Sequence, residues 1–145
     1  LVATLAGVAR VPLAALAAVT LAHELQVSSL LGYRPRLDAC AECGQALSPR
    51  RLFSPARGGL MCDRCASAEA GTIRISADAL AGLSLLLTRP VGEAGEYVEV
   101  KGTGELLRVV EAFLSHHFQR FHGLRSLEVL RSLPGAVKED TPCPN

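Results

Sequence analysis

Tryptophan is absent, methionine occurs once, and 145 residues hold only two tyrosines and four phenylalanines. So few aromatics leave little for the base-stacking platforms used by single-strand binders. Leu, Val and Ala must therefore fill the interior, which a hydrophobic share of 49% permits. Long apolar runs are missing as well. Near the start the longest uncharged stretch, Val11 to Ala22, has twelve residues, short of the roughly 20 that span a bilayer, so no membrane role is expected. No basic leader precedes it, which argues against a signal peptide, and the chain opens on Leu1 and reads as a piece of a longer protein. Neither charge sign dominates: the net charge is +1. The length suits one domain, or one domain with a small appended module.

Catalytic constellations are missing too. Lys101-Gly102-Thr103-Gly104 lacks the Gly-x-x-x-x-Gly-Lys-Ser/Thr spacing of a phosphate loop and reads as a turn. His116, His117 and His122 lie along one predicted helix without the His-Glu-x-x-His pattern of a zinc hydrolase, and His117 falls on its apolar stripe. His23-Glu24 has no second ligand within reach, and Glu93, Glu96 and Glu99 sit in a glycine-rich stretch as solubilising charge. The chain is not expected to be an enzyme.

What is present is a metal-binding pattern. Four of the five cysteines form two Cys-x-x-Cys knuckles, Cys40/Cys43 and Cys62/Cys65, with eighteen residues between them. Each knuckle offers two thiolates to one ion at about 2.3 Å, and the intervening loop brings the second pair back to complete a tetrahedron. Gly44 follows the first knuckle, where the backbone must curl toward the sulfurs. Arg51 to Ser54 and Leu60 to Cys62 are expected to pair as short strands around Pro55-Ala56-Arg57-Gly58-Gly59. The predicted cofactor is one structural Zn²⁺; an iron–sulfur cluster takes the same four thiolates. Five cysteines are too sparse for a secreted disulfide framework, and a redox Cys-x-x-Cys would normally occur once. Zinc would contribute on the order of 10–16 kcal/mol, as much as a whole domain's stability. Four thiolates leave no open position for water, so the site is structural. Cys143 is the odd one out, and thiols spaced for metal fit a reducing cytoplasm.

Charge is unevenly spread. Residues 31–66 carry Arg34, Arg36, Arg50, Arg51, Arg57 and Arg64 against Asp38, Glu42 and Asp63, a net of +3, while residues 67–105 net −3. The six arginines are candidate contacts for a phosphate backbone or for an acidic peptide tail docked on the helices. Arg50 and Arg57 bracket the predicted hairpin tip.

The predicted fold is mainly α: a small helical bundle with an inserted Cys₄ zinc ribbon. Residues 1–37 form a helical segment, a buried helix running from Pro12 to about Leu31 with Leu13, Leu16, Val19, Leu21, Leu25 and Leu30 and with Gly32 as its stop. Residues 38–67 form the ribbon, to which all strands are confined. Residues 68–133 complete the bundle: a helix capped by Ser76 that carries Leu80, Leu83, Leu86 and Leu87 up to Pro90; an amphipathic helix from Glu105 to His122 with Leu106, Val110, Phe113, Leu114, His117, Phe118 and Phe121 on one stripe; and a short helix Leu127 to Leu133. Residues 134–145 form a flexible tail.

The order Leu31-Gly32-Tyr33-Arg34-Pro35-Arg36-Leu37, Cys40-Ala41-Glu42-Cys43-Gly44, Phe53-Ser54-Pro55, Gly58-Gly59 and Cys62-Asp63-Arg64-Cys65 resembles the RecO family of bacterial recombination mediators. Phe113-Leu114-Ser115-His116-His117 and Gly123-Leu124-Arg125-Ser126-Leu127-Glu128-Val129-Leu130 extend the likeness over about residues 1–133. The resemblance implies a non-enzymatic role in DNA repair: binding single- and double-stranded DNA, annealing strands, associating with RecR and with the C-terminal tail of single-stranded-DNA-binding protein, and loading RecA. It also implies a cytoplasmic, nucleoid-associated protein with an N-terminal OB-fold. No five-stranded barrel can be built from these residues, so the chain reads as the C-terminal helical and zinc part. A zinc-ribbon interaction domain unrelated to repair is the competing reading.

Overall fold

The computed structural model describes residues 13–91 and 100–118. Helix α1 spans Leu13–Leu30, and Ala15, Ala17, Ala18, Val19, Leu21, Ala22 and Leu25 are all buried. The buried positions cover more than half of its circumference, with Leu16, Thr20, His23 and Val27 on the partly exposed side, and this is the central helix. It ends in a Schellman motif. Tyr33 N donates to Ser28 O (2.8 Å) and Gly32 N to Ser29 O (3.1 Å), with Gly32 at φ 93 supplying the left-handed residue that closes the motif. The last turn departs from expectation. Leu30 is 87% exposed and Leu31 62%.

Helix α3, Ala77–Thr88, begins where Ser76 Oγ accepts the Ala79 N–H at 3.1 Å. It stops because Arg89, preceding Pro90, is extended (φ −84, ψ 134). Gln26 Nε2 from α1 donates to the carbonyls of Leu86 (2.9 Å) and Arg89 (2.6 Å) at that end. Helix α4 spans Thr103–His117, starting two residues before the predicted Glu105 and ending short of His122. Phe118 leaves the helix (φ −118, ψ 100) and sets its ring edge-on against Tyr33, 5.1 Å between centroids. The predicted stripe is buried at Leu106, Val110, Phe113 and Leu114, and Leu107 and Val109 widen it. Where α3 meets α4, a Cβ on Gly82 would lie 2.8 Å from Leu106 Cδ1, so glycine sets the close approach. Glu105 in the first turn of α4 ties the pair together: its carboxylate accepts the Ser76 N–H (2.9 Å) and O–H (2.6 Å).

Between α1 and α3 lie the strands. The predicted hairpin forms as β1, Leu52–Ser54, antiparallel to β2, Gly59–Met61, with Leu52 opposite Met61 and Phe53 opposite Leu60. Arg51, predicted as the first strand residue, instead adopts a left-handed turn at φ 49. Strand β3, Ile73–Arg74, pairs with the other edge of β1, and the sheet order is β2-β1-β3. Strands are therefore not confined to residues 38–67. A five-residue helix, α2 (Asp63–Ser67), follows β2.

Helices occupy about half of the described residues, so the mainly α expectation holds only in part. Successive strand residues point to opposite faces, and the sheet uses both. Phe53, Leu60 and Ile75 join the helical core, whereas Leu52 and Met61 join a second cluster with Cys40 and Ala66. The predicted helix Leu127–Leu133, the tail, Cys143 and the Glu93, Glu96 and Glu99 stretch lie outside the described residues.

Candidate metal centre

Two short backbone devices bring the cysteines together. In the first knuckle, Gly44 N donates to Cys40 O and Cys40 N to Gln45 O, both at 2.9 Å, with Gly44 at φ 72. A Cβ on Gly44 would meet nothing within 4 Å, so the requirement there is conformational, not steric. In the second, Cys62 leaves β2 as the N-cap of α2, and Cys65 lies in that helix one turn on. The knuckles are held side by side by β2, since Ala41 N donates to Leu60 O at 2.8 Å. Just upstream, Arg36 N donates to Gly58 O and Leu60 N to Arg36 O, forming a parallel bridge against the hairpin. A Cβ on Gly59 would collide with the Arg36 carbonyl oxygen.

The result is a quartet of sulfurs: Cys40, Cys43, Cys62 and Cys65 lie with every Sγ within 4.8 Å of every other. Cys43 Sγ and Cys62 Sγ are 3.7 Å apart, against an edge of about 3.8 Å for a tetrahedron with 2.3 Å metal–sulfur bonds. The same separation is far too long for a disulfide bond. Cys40 is fully buried; the other three are partly exposed.

The charge pattern also fits a cation. Burial raises the Cys40 thiol, yet the backbone N–H groups of Cys43, Cys62 and Glu42 aimed at its sulfur bring it down to about 6. The Gln45 N–H lowers the Cys43 thiol against burial. Cys65 goes the other way, pushed up to about 12 by its hydrogen bonds to Cys43 and Cys62. Without a countercharge, one sulfur keeps its proton to shield the others. A divalent ion held by these four residues would replace that proton and cross-link the two knuckles. All-thiolate donors select zinc or iron–sulfur chemistry.

Arg64, predicted as an outward contact, faces this charge. Its guanidinium donates to Cys43 Sγ and is attracted by Cys65 and Cys62, which raises its pKa. Four of the other five arginines meet separate partners. Arg57 binds Glu42 Oε2 at 2.9 Å and Glu69 Oε2 at 3.3 Å, while Ser54 Oγ donates to Glu69 Oε1 at 3.0 Å. Arg57 thus clamps the first knuckle, the hairpin turn and the segment after α2. Arg36 pairs with Asp38 at 3.5 Å and Arg50 with Asp63 at 3.9 Å, both on the surface. Arg51 Nε donates to Ile75 O at 3.3 Å. Arg34 is exposed, with no ion pair among the described residues. Sequence reasoning missed the Arg57 clamp, although Glu42 beside Cys43 was its one visible signal.

His117 joins the cysteine-bearing segment to the helices. Its ring hydrogen-bonds the Pro55 carbonyl in the hairpin turn and packs against Phe113 (4.7 Å) and Tyr33 (5.3 Å). Nε2 is buried without a partner, and a Cβ on Gly58 would lie 3.3 Å from it.

The family model described as Recombination protein O C terminal matches residues 1–128. The DNA repair protein RecO of Roseiflexus sp. (strain RS-1) is 32% identical over 123 residues, covering 83% of this chain and 43% of the relative. The protein of the same name from Symbiobacterium thermophilum is 32% identical over 119 residues, 77% of this chain and 46% of the relative. That from Streptomyces griseus subsp. griseus is 40% identical over 96 residues, 66% and 36%. The chain thus spans less than half the length of these relatives. No solved structure matches it. With the match covering most of its length, the chain belongs to the Recombination protein O C-terminal family.

Proposed function

We propose that this chain is the zinc-centred helical module of a bacterial DNA repair and recombination mediator. The observation that carries the reading is the family match over residues 1–128. In it, the four thiolates hold one structural Zn²⁺, the helices provide docking surface, and no bond-breaking chemistry takes place. The partners follow from the family resemblance: DNA, RecR and the C-terminal tail of single-stranded-DNA-binding protein, with strand annealing and RecA loading as the outcome. A soluble cytoplasmic, nucleoid-associated location belongs to the same reading; no helix among the described residues is long and apolar enough to cross a membrane.

Two surface features support particular contacts. Arg34 and Arg50 are exposed and lightly engaged, which suits sequence-blind salt bridges to phosphate. Arg36, Arg51, Arg57 and Arg64 belong to the same proposed basic face, but each also has an internal partner. The exposed strip Val27, Leu30, Leu31 and Tyr33 lies beside Arg34 and Arg36. An apolar strip with cations at one end suits a short peptide carrying both apolar and acidic residues.

The test uses the full-length protein and labelled single-stranded DNA. Arg34→Glu with Arg50→Glu should weaken binding uniformly across sequences and flatten its dependence on salt. In parallel, Leu30→Asp should reduce capture by an immobilised single-strand-binding-protein tail. An unchanged salt slope would remove the arginines from the interface, and unchanged tail capture would remove the strip.

A further inference from the structure

The four sulfurs are not equivalent toward solvent, and the difference bears on oxidation. Cys40 is fully buried, and the backbone N–H groups of Cys43, Cys62 and Glu42 converge on its sulfur. Cys43 is partly exposed, and Arg64 brings a guanidinium to its Sγ. A cation beside a half-exposed thiolate is the setting in which cysteines become reactive toward peroxide. The neighbour able to trap the product lies in the other knuckle: Cys62 Sγ is 3.7 Å away. Cys62 stands in extended backbone (φ −74, ψ 160) at the N-cap of α2, and its side chain makes no capping bond that a disulfide would break. Cys65 is built into α2 itself.

We infer that Cys43 and Cys62 form a peroxide-oxidisable pair whose disulfide replaces the metal as the link between the two knuckles. The Cys43 thiolate attacks one peroxide oxygen; the O–O bond breaks, hydroxide leaves, and Cys43 becomes a sulfenic acid. Cys62 Sγ then attacks that sulfur, the S–O bond breaks, and a second hydroxide leaves. Two sulfurs are oxidised and two peroxide oxygens reduced, and solvent protons carry the hydroxides off as water. The quartet loses two of its four donors, so the ion is released. Closure needs the two sulfurs to approach to about 2.05 Å, a shift of less than 2 Å. A dithiol reductant reverses it. Because the bond spans from first knuckle to second, the β1–β2 hairpin stays enclosed by a covalent loop after the ion has gone.

This inference rests on the metal reading above, and the experiment separates the two. The protein carrying Cys143→Ser, purified under reducing conditions, is first assayed for zinc; absence of metal overturns the metal reading and this inference with it. Loaded protein is then treated with hydrogen peroxide in the presence of a chromophoric zinc chelator, followed by non-reducing peptide mapping. The expected result is stoichiometric zinc release together with a Cys43–Cys62 cross-linked peptide, both reversed by a dithiol plus zinc. Arg64→Ala, which leaves all four ligands in place, should slow release severalfold, and Arg64→Lys should restore part of the rate. Release accompanied by Cys40–Cys43 or Cys62–Cys65 bonds would overturn the inference while leaving the metal reading intact, as would retention of zinc under peroxide.

Discussion

Phe53 and Phe113 meet edge-on, 6.4 Å between ring centroids at 70°, and through this contact the sheet that supports the cysteine quartet shares the helical core. Phe53 sits on β1 opposite Leu60, and both point into the cluster formed by α1, α3 and α4. Their sequence neighbours Leu52 and Met61 point to the other side, toward Cys40 and Ala66. One residue of register therefore separates the helical core from the small core around the cysteines. The sheet is a shared wall, not an appendage on a linker.

Removing the metal should accordingly be felt by the helices. Cys40→Ser, or chelation of the loaded protein, takes away the link that holds β1 and β2 against the knuckles. Phe53 and Leu60 then lose the backbone that positions them. Loss of a buried phenylalanine's packing alone costs about 3–5 kcal/mol, and in a domain this small that lowers the melting temperature by at least about 10 °C. Circular dichroism at 222 nm, which reads the helices, is the decisive signal. A helical melt that is the same with and without metal would show the sheet and the bundle to be independent.

The parts of this arrangement visible in the sequence are those set by short-range constraints. Two Cys-x-x-Cys spacings, Ser76 as a cap and Gly32 as a helix stop each act within four residues, and each stands where it was expected. The β1–β2 hairpin was legible for the same reason. Strand β3 was not, because two residues, Ile73 and Arg74, carry no periodicity and find β1 only through the tertiary fold. The fate of the arginines was hidden likewise. Arg57 reads as a hairpin-tip cation, yet Glu42 and Glu69 reach it from both sides. Leu30 fits the apolar pattern of α1, yet it is 87% exposed, and exposure is set by what packs around the helix, not by the helix's own sequence.

Glycines offer a graded test of the packing. At Gly59 a methyl group would run into the Arg36 carbonyl, which belongs to the backbone bridge supporting the hairpin and cannot turn aside. Gly59→Ala should cost more than about 2 kcal/mol and weaken metal retention, placing it in the upper range of single substitutions. At Gly82 the obstacle is Leu106 Cδ1, the end of a flexible side chain, so Gly82→Ala should cost less. Gly104 has nothing within 4 Å and lies in the first turn of α4. Gly104→Ala should be neutral or stabilising by up to about 1 kcal/mol through the lower entropy of the unfolded chain. Denaturant melts of the three variants check the order; equal effects at Gly59 and Gly104 would contradict the close approach of Arg36.

His117 gives the junction between hairpin and helices a pH dependence of known sign. Burial lowers its pKa below the ordinary 6.5, the adjacent His116 lowers it further, and the hydrogen bond to the Pro55 carbonyl opposes both. The folded state therefore binds the proton less readily than the unfolded chain. Its contribution to stability is fully present above the unfolded value and is lost as pH falls through the folded one. Protonation would place an N–H at Nε2, which is buried against Gly58 and lacks an acceptor. Melts of metal-loaded protein should fall more steeply below pH 6.5 in wild type than in His117→Phe, which keeps an aromatic ring against Phe113 and Tyr33 but cannot titrate. The His117 ring signal, followed by NMR, should turn over below the ordinary histidine midpoint. A midpoint at or above that value would place the ring in water and remove His117 from the junction.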